Sequence, residues 1–300
     1  MFFETKIMNF NHLKKVECLS TGSLNIDYIL GIGGLPYGRI IEIFGQESSG
    51  KTTVAFSIIK EAQKVGDICA YIDVEHCIDI HYIENLGINL SNLLIFQPDN
   101  GENVFEICYK LINTKIVKVI IIDSIAAIIS QNEINSSDNF IGIHARLISK
   151  SLKKLIPNIR KNNVLFLLIN QVRIKIANFY NKEVSTGGNS IKFYSSIRIE
   201  LKKIGFLKNK NNIIGQEIKI SVIKNKLSKP YRDTKIQIIF GYGIYKINEI
   251  FNFAIKLEIF KKKKNKYFFN NHFFEKKDLI KKLSLDKSFY KSIENKIKYD

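Results

Sequence analysis

A lysine and two threonines, Lys51-Thr52-Thr53, close the stretch Gly45-Gln46-Glu47-Ser48-Ser49-Gly50-Lys51-Thr52-Thr53, which has the spacing G-x-x-x-x-G-K-[ST]. The chemistry this spacing serves is polyphosphate binding. Glycines at 45 and 50 let backbone N–H groups curl inward around an anion, and a helix starting at the second glycine adds its partial positive charge. Lys51 then reaches the β- and γ-phosphates, and Thr52 holds Mg²⁺. Three further polar residues follow apolar runs. Asp123 comes after Val119-Ile120-Ile121-Ile122 and suits a water-mediated contact to Mg²⁺. Glu75 ends the run Cys69-Ala70-Tyr71-Ile72-Asp73-Val74 and is a candidate base for the attacking water of hydrolysis. Gln171 follows the apolar residues 164–169 and brings an uncharged amide able to sense a terminal phosphate.

These groups can converge only if their elements share an edge, and in open α/β sheets ligands bind at the carboxyl ends of the strands. The chain supplies such elements in alternation. Ile40-Ile41-Glu42-Ile43-Phe44 reads as a buried strand and residues 54–65 as an amphipathic helix. Strands are predicted over 69–74, 93–96, 117–122 and 164–169, with helices near 81–86 and over 102–114. A long helix is predicted over 141–161, with Leu147, Ile148, Leu152, Leu155 and Ile159 on its apolar face. Strands apolar on both faces and separated by helices argue for a parallel sheet covered on both sides. Residues 131–140 are polar and aperiodic and read as a loop. Residues 172–190 hold Arg173, Lys175, Phe179, Tyr180, Lys182 and the pair Gly187-Gly188, and also read as a loop. Its size and composition suit phosphodiester and base contacts. From 197 to 240 the period changes to two, which predicts three antiparallel strands extending the sheet.

The 300 residues, 45% hydrophobic and 25% charged, allow one large α/β domain with a small appendage. No apolar run approaches the length of a membrane span, and the N-terminus lacks a signal pattern. The four cysteines have no paired spacing, so a reducing, cytoplasmic location is expected. The histidines show no ligand spacing, and no metal beyond Mg²⁺ is assigned. A formal charge of +18 points to a polyanionic partner, nucleic acid before an anionic membrane. A composition heavy in Lys, Asn and Ile is the lesser alternative source of such an excess. Residues 246–300 hold fifteen lysines against seven acids and form a basic appendage.

Taken in order, a set of motifs resembles the RecA family of bacterial recombinases over roughly residues 17–242. They are Ser20-Thr21-Gly22-Ser23, Gly33-Gly34-Leu35-Pro36, Glu47 through Thr53, Ile72-Asp73-Val74-Glu75-His76, Gln97-Pro98-Asp99 and Asp123-Ser124-Ile125-Ala126-Ala127, followed by Ile169-Asn170-Gln171-Val172-Arg173, Thr186-Gly187-Gly188-Asn189 and Val222-Ile223-Lys224-Asn225-Lys226. The resemblance implies a RecA-type ATPase core over 18–245, a short N-terminal arm over 1–17, and a small α+β basic domain over 246–300. It implies ATP and Mg²⁺ as ligands, with Glu75 as general base and Gln171 as γ-phosphate sensor. Asp79 and Tyr82 match adenine contacts, Tyr82 by stacking. Lys224 and Lys226 match a pair that reaches a neighbour's ATP, and Phe193, Lys192 and Arg198 fall in the same interface segment. Arg146, Arg173, Lys175, Gly187 and Gly188 match DNA contacts, and Ile176 matches an apolar residue that separates base triplets.

The implied activity is ATP-dependent filament assembly on single-stranded DNA, with pairing and strand exchange against homologous duplex. A second reading is an ATP-gated scaffold that coats single strands with weak hydrolysis. The departures from the family pattern are local. Most of the long N-terminal docking helix and the acidic C-terminal tail have no counterpart, and both DNA loops are slightly shorter. Gln46 replaces a proline of the phosphate loop, Ile141 a methionine wedge, and Lys153 an arginine.

Overall fold

A computed structural model describes residues 16–131, 133, 142–177, 180–185 and 188–299, with the backbone alone for 173–177, 180–185 and 298–299. A two-stranded ribbon of β1 (Cys18–Leu19) and β2 (Leu35–Pro36) encloses α1 (Leu24–Leu30). Ser23 caps α1 by accepting the N–H of Ile26, and Gly31 ends the helix at φ 70. The alternating core follows as β3 (Ile40–Gly45), α2 (Lys51–Lys64), β4 (Ile68–Asp73), α3 (Ile80–Asn85), β5 (Leu93–Phe96), α4 (Gly101–Thr114) and β6 (Val117–Asp123). Then come α5 (Ile143–Lys161), β7 (Leu165–Ala177), β8 (Tyr180–Ser185), α6 (Gly188–Tyr194), β9 (Ile197–Asn209), β10 (Asn212–Asn225), β11 (Arg232–Ile239) and β12 (Gly243–Ile244). The main sheet runs in the order β12-β11-β10-β9-β3-β7-β6-β4-β5.

Pairing is parallel from β9 through β3, β7, β6 and β4 to β5, and antiparallel from β9 outward. The three expected antiparallel strands are β9, β10 and β11, paired with one another in that order. β9 lies parallel to β3, with Glu42 beside Arg198 in register, because the chain crosses back through α6 before entering it. Alternation along each strand divides the core in two. Ile41, Ile43, Tyr71, Ile121 and Leu167 face α2, whereas Ile40, Ile72, Ile120, Ile122 and Phe166 face α4 and α5. Every one of these side chains is buried, which explains why the strands read as continuous apolar runs rather than alternating ones.

A correction concerns residues 172–190, expected as a loop. β7 does not stop at Gln171 but continues to Ala177 and turns back as β8, a hairpin paired from Val172↔Ser185 to Ala177↔Tyr180. The alternation Val172-Arg173-Ile174-Lys175-Ile176 carried that strand signal. Beyond β12, α7 (Lys246–Lys256), β13 (Lys261–Lys263), β14 (Lys266–Phe269), β15 (His272–Phe274), α8 (Lys276–Leu285) and α9 (Lys287–Tyr299) enclose a separate aromatic cluster. Phe251, Phe260, Tyr267 and Phe269 form its centre. Among the described residues no helix is long and apolar enough to cross a membrane.

Candidate active site

The carboxyl ends of β3, β4 and β6 lie level with the point where β7 leaves the main sheet, and Gly45 sits in register with Gln171 and Asp73 with Asp123. Each strand end therefore delivers its polar residue to one edge. Gly45 leaves β3 against the neighbouring strand so closely that a Cβ there would lie 2.2 Å from the carbonyl oxygen of Leu201. The loop turns through Ser48 at φ 57 and Gly50 at φ 84, the latter being the N-cap of α2. Glycine at 50 has no side chain with which to cap the helix, so the first-turn N–H groups of α2 are presented to an anion.

Lys51, 8% exposed, donates to the carbonyl oxygens of Gly45 at 3.1 Å and Gln46 at 2.7 Å. Burial pulls its ammonium below its ordinary pKa, against the opposing pull of the Asp123, Glu75 and Glu47 carboxylates. Ser49 Oγ is buried and, among the described residues, has no hydrogen-bond partner. An uncapped helix end, an enclosed cation and an orphaned hydroxyl together fit a triphosphate. Gln46, Glu47 and Ser48 are exposed on the outside of the same turn.

Thr52 Oγ1 donates to Asp123 Oδ2 at 2.8 Å, and the buried Tyr71 hydroxyl donates to the same oxygen at 2.5 Å. A hydroxyl and a carboxylate in contact form the hard oxygen set that Mg²⁺ takes. Burial raises the Asp123 pKa, and the bonds from Tyr71 and Thr52 act against that rise. Glu75, exposed, has one oxygen held twice: Ser124 Oγ donates to Oε1 at 2.5 Å and Gln171 Nε2 donates to it at 3.0 Å. A cavity of ≈ 160 Å³ is lined by Thr52, Tyr71, Asp73, Glu75, Tyr82 and Asp123 among others. A larger cavity, ≈ 810 Å³, lies away from this edge between α1, α7 and α9, so size alone does not mark the chemistry.

Asp79 caps α3 by accepting the N–H of Tyr82 at 3.2 Å. The Tyr82 hydroxyl lies 3.0 Å from Thr53 Oγ1, and its ring meets Phe56 edge-on at 6.1 Å. That fixes an aromatic plate beside the phosphate loop. Lys224 and Lys226 are not brought to this edge. Lys224 pairs with Arg198, which pairs with Glu42, three residues back along β3 from Gly45, or about 10 Å along the strand. Lys224 Nζ instead donates to the carbonyl oxygens of Lys192 at 2.5 Å and Phe193 at 3.2 Å. Phe193 is 71% exposed.

The DNA-contact positions split. Arg146 is exposed in the first turn of α5, and Gly188, at φ 71, begins α6 with its Cα against Ala145; an added Cβ would meet that Ala145 methyl at 3.1 Å. Arg173, Lys175 and Ile176 are on β7, opposite Val184, Lys182 and Asn181 of β8. Gly187, Ile141 and most of the expected loop over 131–140 lie outside the described residues. Sequence reading missed Tyr71, Ser124 and Asp73 as partners of the site, and it missed the buried set of Glu42, Asn170 and Arg198 beneath it. Asn170 Nδ2 donates to Glu42 Oε1 at 2.9 Å, Arg198 forms an ion pair with the other oxygen, and its guanidinium lies 4.5 Å from the Phe44 ring. A glutamate inside the apolar run 40–44 was the available signal.

A family model described as the RecA N-terminal domain matches residues 1–245. Protein RecA of Wolbachia sp. subsp. Brugia malayi (strain TRS) is 45% identical over 264 residues, 87% of this chain and 74% of that protein. Protein RecA of Wigglesworthia glossinidia brevipalpis is 45% identical over 265 residues, covering 87% and 80%. Protein RecA of Marinobacter nauticus (strain ATCC 700491 / DSM 11845 / VT8) is 47% identical over 244 residues, covering 80% and 70%.

Proposed function

The chain belongs to the RecA family, and from that premise we propose that it is a DNA-dependent ATPase and homologous recombinase of DNA repair, working in the cytoplasm. ATP and Mg²⁺ assemble protomers on single-stranded DNA, the filament pairs and exchanges strands with homologous duplex, and hydrolysis releases it. In this reading residues 18–245 are the ATPase core and 246–300 a small basic domain. The observation that carries it is the single edge where Lys51, Thr52, Asp123, Glu75 and Gln171 meet, with Gln171 on the strand that continues into a basic hairpin.

In this reading each residue has a task. The N–H groups of the loop and Lys51 clamp the phosphates. Mg²⁺, held by Thr52 and through water by Asp123, would supply charge neutralisation at the phosphates when bound. Glu75 takes the proton of the attacking water, its carboxylate turned by Ser124 and Gln171. The Tyr82 ring stacks on the adenine beside Asp79. Lys224 and Lys226, remote from their own phosphate loop, complete the site of an adjoining protomer. Arg146, Arg173, Lys175, Ile176, Gly187 and Gly188 grip DNA. ATP turnover measured with and without single-stranded DNA tests the reading: turnover stimulated by DNA is expected, and a folded protein indifferent to DNA would sink it.

A further inference from the structure

Glu75 reaches Ser124 and Gln171 because the chain turns sharply just after β4, and one buried carboxylate makes that turn. Asp73, the last residue of β4, is 3% exposed. Its Oδ1 accepts the N–H of Cys77 at 3.4 Å, and its Oδ2 accepts the N–H of Ile78 at 3.2 Å. Residues 74–78 therefore wrap around one side chain, with His76 in the left-handed region at φ 53. Gln97, exposed just beyond β5, donates from its Nε2 to Asp73 Oδ2 at 2.9 Å. On the other flank the N–H of Val74 donates to the carbonyl oxygen of Asp123 at 2.8 Å.

The turn is thus tied to β5 on one side and β6 on the other, and Glu75 projects between the two ties. We propose that Asp73 and Gln97 are positioning residues for ATP hydrolysis, holding the turn that sets the Glu75 carboxylate against Ser124 and Gln171. The proposal rests on the reading of Glu75 as the base. Three hydrogen bonds to a buried carboxylate are charge-assisted and directional, so they fix a turn that its own sequence, with a non-glycine at positive φ, does not favour. Loosening them lets the base wander, and a misplacement of about 1 Å costs on the order of 100-fold in rate. The rival role is metal binding, since Asp73 pairs with Asp123 in register and lines the same cavity.

The test uses the full chain with single-stranded DNA, reading ATP turnover, affinity for a fluorescent ATP analogue and thermal melting. Glu75→Gln examines the underlying reading: lost turnover with retained nucleotide affinity upholds the base, and retained turnover removes it together with this proposal. With the base upheld, Asp73→Asn is expected to lower kcat by about 10- to 100-fold. Gln97→Ala lowers kcat less, both variants keep KM for ATP near wild type, and the double variant is no slower than Asp73→Asn, as expected for residues acting as one device. Wild-type kcat in Gln97→Ala, or a loss expressed in KM rather than kcat, overturns the proposal. So does recovery of Asp73→Asn at raised Mg²⁺, which assigns Asp73 to the metal. Gln97 is exposed, so its variant decides the matter even where Asp73→Asn fails to fold.

Discussion

Gln171 donates its side-chain amide to Glu75 Oε1 at 3.0 Å while its backbone, level with Gly45, is the last of β7 to pair with β3. The next residue, Val172, is the first to pair with β8. One residue therefore touches the candidate base and also joins two hydrogen-bonded ladders. Gln171→Ala is expected to drop DNA-stimulated turnover toward the DNA-free rate. Nucleotide affinity should move by no more than about 100-fold, the upper worth of one hydrogen bond to a charged group. Turnover and analogue binding measured side by side check both halves.

The placement of Lys224 yields a complementation experiment. Its ammonium faces Lys192 and Phe193 rather than the loop at Gly45. Burial lowers its pKa, and the neighbouring Lys226 and Arg198 charges add to that lowering, so an anionic partner is favourable there. Lys51→Ala and Lys224→Ala should each be inactive alone. Mixed, they should regain turnover, because a Lys224→Ala protomer keeps its phosphate loop and a Lys51→Ala neighbour supplies the missing lysine. A mixture as silent as its components would place Lys224 in its own protomer's site.

Beneath the site, Glu42 is fully buried and holds Asn170 and Arg198 from the strands on either side of β3. Removing one partner strands a charge in a dry environment. Arg198→Met should therefore destabilise the fold by about 3–5 kcal/mol. The double variant Glu42→Leu with Arg198→Met should lose less than Arg198→Met alone. Denaturant titration of the single and double variants decides between these outcomes.

Stability should depend on pH through Glu249, whose Oε1 accepts the Ser23 hydroxyl at 2.8 Å where α7 meets α1. Burial pushes its pKa from 4.5 to about 7. Glu61, Asp27, Lys246, Tyr290 and Glu294 line the same cavity, and burial also pushes Asp27 up to about 6. An acid with a raised folded-state pKa binds more protons folded than unfolded across the window between the two values. Stability is then greatest below about pH 4.5 for this group and falls as pH rises to about 7, after which its penalty is constant. At about 1.4 kcal/mol per unit the window spans a few kcal/mol. Glu249→Gln keeps an acceptor for Ser23 and should flatten that slope, as melts between pH 5 and 8 relative to wild type will show.

How much of this could be read from residues alone differs by element. β3, β4 and β6 stood out because buried parallel strands are apolar on both faces, and α5 because Ile148, Leu152, Leu155 and Ile159 recur at helical spacing. The hairpin of β7 and β8 was obscured because its polar residues outweighed its alternation. The parallel entry of β9 was invisible for another reason: partner choice is a long-range property, and Glu42 and Arg198 are 156 positions apart. The phosphate loop was legible because its chemistry is local. Ser124 and Tyr71 were not, since each acts on a residue brought near only by the sheet, and the local bonds of Asp73 exist only once residues 74–78 have turned around it.

In the filament proposed above, Lys224 and Lys226 of one protomer meet the phosphate loop of the next, so the contact is heterologous. A protomer that offers lysines at one place and a loop at another has a front and a back, and such units add head to tail. Any finite row then ends in one loop that no lysines face and, at the opposite tip, in one lysine pair that faces no loop. The two tips are chemically unlike. Growth and loss should therefore run at different rates at each, giving the filament a direction in time as well as in space.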